Sequence, residues 1–208
     1  GKWQFIDLQD KANRMLPAPE YLIKLLKSYN IIQFGHTDKL SNTLDKLSVQ
    51  LKSSVLSWSK RFLDANGHLT LLSILSKKVA CLNGYDNYTK EDADSLIACL
   101  TCFRAICNSN TGVKIMLQYQ SAIPLFVRAI TPVLDRAVEN SLQILLVLIL
   151  KEEDTVKSMQ NIHTILFEFQ RLKYQHHGWK NITAILKKES GQISNLLTSV
   201  ITFITALY

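Results

Sequence analysis

The chain has 208 residues, 47% of them hydrophobic and 20% charged, with only 7 Gly and 4 Pro and a formal net charge of +7. So few turn residues exclude a fold of many short strands. The densest apolar run, Ile144 to Leu150, is far shorter than the roughly eighteen residues a membrane-spanning helix needs. The lysines are scattered, with short pairs such as Lys77-Lys78 and Lys187-Lys188 and no basic run interleaved with aromatics, which argues against nucleic acid as a partner.

The period is helical almost throughout, and the predicted class is all-α. The opening residues, Lys2 and Trp3 leading into Phe5, Ile6 and Asp7, lack the long apolar stretch of a signal peptide and enter an amphipathic segment abruptly, as an excised piece of a longer chain would. Leu40, Leu44, Leu47 and Leu51 form one helical stripe, with Thr37 or Asp38 available as its cap. Val55, Trp58 and Phe62 belong to a second helix that stops at Asn66-Gly67, a left-handed terminator. A third helix carries Leu69, Leu72, Ile74, Leu75 and Val79, followed by a loop over Asn83–Tyr88. Thr89 caps a long helix whose Glu91, Asp92 and Asp94 complement the positive end of its dipole, and whose buried face reads Leu96, Cys99, Leu100, Phe103, Ile106 and Cys107. After Asn108-Ser109-Asn110 come a short helix from Thr111 to Leu117 and another from Ser121 to Ile130, where Pro124 is tolerated in the first turn. Asp135 to Leu150 is apolar on nearly all sides and is expected to be central. Asp154 to His176 is amphipathic, and two further helices span Trp179–Lys188 and Ile193–Tyr208.

Shorter helices over Leu69–Leu75, Ile123–Ile130 and Ile182–Leu186 each precede a longer apolar one, centred near Cys99, Leu145 and Val200. The interval of roughly 45 to 55 residues is that of armadillo or HEAT repeats or slightly longer. Such pairs bury their apolar faces only by stacking, which predicts an armadillo-like right-handed solenoid with a concave groove suited to a peptide.

Motifs for chemistry are absent from this pattern. The five histidines form no H-E-x-x-H, and no Walker loop, G-x-G-x-x-G or G-x-S-x-G occurs, so neither an enzyme nor a bound cofactor is expected. Glu91-Asp92 and Glu152-Glu153 fall at helix starts and suit dipole complementation better than acid–base work. Cys99 and Cys102 form a C-x-x-C without a second ligand pair nearby, and together with Cys81 and Cys107 they read as reduced structural thiols of an intracellular protein.

Several stretches, in order, resemble the N-terminal regulatory region of diaphanous-related formins. From Leu47 to Leu63 a leucine-rich helix leads into Trp58 and then Phe62; Gly67 to Leu75 resembles the family's glycine-then-leucine repeat helix. Cys102 to Leu117 resembles its most specific element, a helix ending in a paired-Asn turn followed by Gly112 and a short apolar helix; where the family pairs two asparagines this chain has Asn108-Ser109. Leu125 to Ile130, and Leu186 to Leu207, continue the match. The resemblance implies that residues 1–36 are the C-terminal part of a GTPase-binding helical subdomain and 37–208 an armadillo-repeat inhibitory domain. It implies binding of a GTP-loaded Rho-family GTPase through Lys2, Trp3, Asn108 and Ser109. It implies a groove for the same protein's C-terminal autoinhibitory segment, lined by Leu146 and Ile149, or by Val147 and Leu150 under a one-residue shift. Actin would be met only through other domains, membranes only indirectly, and the protein would be cytoplasmic, recruited to the cortex by the GTPase. The residues alone leave a second reading open, an armadillo-type adaptor for an unrelated peptide without preference for a GTPase. Trp58 and Phe62 are expected in the core, and Trp3 either in partner contact or packed on the next helix.

Overall fold

The computed structural model describes residues 17–31, 39–53, 56–82, 89–119, 121–131, 134–174 and 202–206. All regular structure among them is helical: α1 (Pro19–Ile31), α2 (Leu40–Ser53), α3 (Leu56–Asp64), α4 (Gly67–Leu82), α5 (Lys90–Cys107), α6 (Asn110–Leu117), α7 (Ala122–Arg128), α8 (Asp135–Leu150) and α9 (Thr155–Tyr174), with a further turn of helix over 202–206. Among these, no helix is long and apolar enough to cross a membrane. The expected helices over Trp179–Lys188 and most of Ile193–Tyr208 lie outside the described residues, as do Lys2, Trp3 and the Thr37 and Asp38 caps.

The helices stack in two rows. One row is α2, α5 and α8, whose first residues are 50 and 45 residues apart; the other is α1, α4, α7 and α9. Consecutive members of each row touch, α3 packs on α1 and α4 of the second row, and α6 packs on α5 and α8 of the first. This is the all-α helical-repeat arrangement that the spacing predicts. One expectation changes in detail: α4 runs to Leu82 and matches α8 in length, because Leu71, Leu72, Ile74, Leu75 and Val79 are all buried between α1, α5 and α7.

The core is continuous along the stack, with Leu26, Leu44, Leu47, Phe62, Leu71, Leu75, Leu96, Phe103, Phe126, Val138 and Leu145 fully buried. Phe103 of α5 meets Phe126 of α7 edge to face, ring centroids 5.2 Å apart, joining the two rows. Trp58 stacks along α3 on Phe62 and donates from its indole nitrogen to the Pro17 carbonyl at 3.1 Å, which pins the entry to α1. At the α3–α4 corner Asn66, not Gly67, takes the left-handed conformation, with φ of 60°. Gly67 opens α4, and a methyl there would press into the tip of the Phe62 ring, too close to three of its carbons, so this glycine is required by packing.

Buried and half-buried polar groups tie neighbouring helices. Asp92 completes a capping box with Thr89 and also accepts from Lys78 of α4 at 2.6 Å. Glu91 serves a different helix. It accepts from the Ser41 backbone N–H and hydroxyl, both at 2.9 Å, and so caps the start of α2 across 50 positions of sequence. Glu168 of α9 accepts two bonds from Arg128 of α7, each 3.1 Å, and one from Arg171 at 3.0 Å. Burial pulls the Glu168 carboxyl upward, but the hydrogen bonds and charges of the two arginines outweigh it and leave the pKa below its ordinary value. A lowered carboxylate pKa gives stability that is complete above the unfolded-state value and lost as pH falls through the folded-state one. Urea unfolding across pH 7 to 3 is therefore expected to show acid-dependent loss that is shallower in Glu168→Gln, with the variant already less stable at neutral pH by about 1–3 kcal/mol. Removing only the Glu91 carboxylate, as Glu91→Ala, is expected to lower the melting temperature through loss of about 1 kcal/mol of capping.

Candidate functional site

The turn between α5 and α6 is built by three residues with distinct duties. Asn108 closes α5 in helical conformation, its N–H donating to the Arg104 carbonyl while the Ser109 N–H donates to that of Ile106, and its side chain is exposed. Ser109 is extended (φ −109°, ψ 142°) and caps α6: its hydroxyl accepts from the Gly112 N–H at 3.0 Å and donates to the Ile106 carbonyl at 3.1 Å. Gly112 is buried against the end of α5, where a Cβ would collide with the Ile106 carbonyl oxygen. The short helix can therefore lie directly on the last turn of α5, and the reversal holds Asn108 outward at a fixed angle.

Beside this turn opens a cleft of about 510 Å³ between the end of α2, the outer side of α3 and the end of α5. Leu51, Leu63, Ala105 and Ile106 contribute its apolar wall; Lys52, Ser59, Lys60, Asn108, Ser109 and Thr111 contribute polar groups. The cleft was not legible in the sequence, because it draws residues from four helices, α2 and α3 on one side and α5 and α6 on the other, about 50 positions apart in the chain.

The row of α2, α5 and α8 presents the second surface. Beyond its first residues, 90–94, the positions along α5 that keep exposure are Ile97, Thr101, Arg104 and the closing Asn108, and on α8 after Asp135 they are Arg136, Glu139, Gln143, Leu146, Val147 and Leu150, each set at helical spacing along one face. The Arg104 guanidinium donates to the Asn140 side-chain carbonyl at 2.8 Å, and the Asn140 amide donates to Thr101 at 3.2 Å, which fixes the two helices side by side. Leu146 lies on this face, half-buried. Ile149 does not: at 5% exposure it points into the core, about 100° round the helix from the stripe's centre. Leu150, by contrast, is 66% exposed.

No cluster of His, Cys, Asp and Glu among the described residues could hold a metal ion. All four cysteines are free; Cys99, Cys102 and Cys107 are buried while Cys81 is exposed. Burial raises all three buried thiols, Cys107 to about 12.

A sequence model of the Diaphanous GTPase-binding domain matches residues 2–150, from the start of the chain to the last residue of α8. The chain belongs to that family. This Diaphanous-family chain is thus a regulatory, GTPase-binding region of a diaphanous-related formin, with a small GTPase as partner, and the family's role is binding, not catalysis. The matched span contains the whole α5–α6 turn, the cleft and the α2–α5–α8 face.

The cap role of Ser109 separates scaffold from contact. In this Diaphanous-family chain Ser109→Ala is expected to cost about 1 kcal/mol of unfolding free energy, whereas Ser109→Asn keeps a competent cap and stays within a few tenths of that figure of wild type. Denaturant midpoints of the two variants check this.

Proposed function

We propose that this chain is the switch module of an actin-nucleating formin. It binds a GTP-loaded Rho-family GTPase at the Asn108-Ser109 turn, with Lys2 and Trp3 contributing, and takes the same protein's C-terminal autoinhibitory segment on the α2–α5–α8 face around Leu146. Actin is engaged by other domains of the full-length formin, and the GTPase brings the otherwise cytoplasmic protein to the cell cortex. The observation that carries the reading is the family match across residues 2–150. It is supported by the outward presentation of Asn108, whose side chain is exposed, in contrast to the Ser109 hydroxyl, which is spent on the cap. It is supported further by the half-buried and exposed apolar residues Leu146, Val147 and Leu150 along one face of a repeat row, the arrangement that receives an amphipathic peptide.

The two ligands share α5: Asn108 ends the same stripe that carries Thr101 and Arg104. Whatever the tail loses when the GTPase binds, the GTPase must lose when the tail binds.

Titration against a Rho-type GTPase loaded with a non-hydrolysable GTP analogue, and in parallel with GDP, tests the reading. The GTP form is expected to bind at least ~30-fold tighter, about 2 kcal/mol, and Asn108→Asp is expected to weaken that binding while leaving the melting temperature close to wild type. Equal or absent binding across several Rho-type GTPases would overturn the GTPase reading and favour the adaptor.

A further inference from the structure

The cleft beside Asn108 carries charge of one sign. Among the described residues that line it there is no carboxylate, and its two ionised groups are Lys52 and Lys60. Neither ammonium pairs with a carboxylate among the described residues, although Lys78, Arg61, Arg128 and Arg171 all do. The contrast with the groove between α6 and α8 is direct: there Lys114 and Lys151 share the lining with Glu152 and Glu153, so charge is balanced locally.

The two lysines differ in what the fold asks of them. Lys52 lies in the last turn of α2, where a cation complements the helix dipole. Lys60 lies mid-way along α3 and is exposed, so no helix end explains it. Both belong to helices anchored in the core through Leu47, Leu51, Trp58, Phe62 and Leu63, so their backbones are held while their side chains reach the rim. Beneath them the wall is apolar, contributed by Leu51, Leu63, Ala105 and Ile106. A low-polarity wall under a cationic rim strengthens attraction for an anion that enters and makes a misplaced cation costly.

We propose that Lys52 and Lys60 are specificity determinants for the partner, selecting a GTPase segment that places a carboxylate side chain in this cleft next to Asn108. The inference rests on the GTPase reading above and adds the chemistry of what is recognised. Rim charges of this kind act on encounter and on discrimination between partners more than on total affinity. The cleft therefore favours GTPases with an acidic residue at the contacting loop and disfavours those with a lysine or arginine there.

The full chain tests this in four forms: wild type, Lys52→Glu/Lys60→Glu, Lys52→Gln/Lys60→Gln, and a control, Lys90→Glu/Lys157→Glu. The control makes the same change in net charge with one site on α9 and the other at the far end of α5, about 25 Å from Asn108. All four substituted lysines are exposed, and thermal melts verify that the fold is kept. Affinity and association rate are measured for the GTP-analogue-loaded GTPase at low and at raised salt, about 50 and 200 mM. The reversed pair is expected to bind ~10-fold or more weakly at low salt, mostly through slower association, and to lose the wild type's salt sensitivity; the glutamine pair falls between, and the control stays within ~2-fold. An equal loss in the control, or a reversed pair within ~2-fold of wild type while wild type still distinguishes GTP from GDP, overturns the lysine proposal and leaves the GTPase reading standing. A wild-type chain that does not distinguish the two nucleotide states overturns both, and that outcome is visible before any variant is made.

Discussion

The thiols of Cys99 and Cys102 donate to the carbonyls of Leu71 and Leu44 at 3.6 and 3.2 Å. These contacts put α5 against α4 on one side and α2 on the other at a distance that a small, unbranched side chain allows. Ala98 and Ala105 extend the same economy of volume along the helix, and Leu96, Leu100, Phe103 and Ile106 fill the space that remains. Substituting either cysteine with a larger residue would overfill a site that has no surface to relieve it. Because α5 also meets α6 and α8, the separation set by these sulfur contacts propagates along the row. The positions of the cleft, the Asn108 turn and the α5–α8 face all follow from it.

Around that apolar axis the polar groups are used economically. Glu91, Asp92, Asn140 and Glu168 each join two helices; Asp92 ties α4 to α5 within one repeat, and the other three reach from one repeat to the next. In a stacked structure each interface sees only its neighbours, so a misregister between repeats is the most accessible error. Part-buried hydrogen bonds with fixed geometry penalise that slip where leucine contacts would tolerate it. The Glu91 bridge is the most instructive of these, since it satisfies an N–H at the open end of α2 with a side chain supplied a repeat later.

Much of this architecture could be read from the chain because helical period, caps and breakers are local. Thr89 with Asp92, the stripe of Leu44, Leu47 and Leu51, and the span of α8 all follow from spacing within one helix. The Asn66-Gly67 corner was legible as a turn but not in its division of labour, since the demand on Gly67 comes from the Phe62 ring folding back on it. Glu91 was placed correctly at a helix start, yet the helix it caps is a different one, a relation that periodicity cannot express. The cleft required four helices to be brought together, and Ile149 illustrates the same limit from the other side. In a helix apolar nearly all round, sequence does not say which hydrophobic residues face the neighbour and which face the groove; the packing of α5 against α8 decides it.

The distribution of thiols has a practical side. Three of the four sulfurs are sealed in the core and held as unreactive thiols by burial, while Cys81 stands exposed near the end of α4. A maleimide dye or spin label would therefore modify a single native position under folded conditions, with no need to remove other cysteines first. The unmodified remainder would double as a gauge of integrity, since labelling beyond one group per chain reports opening of the repeat stack.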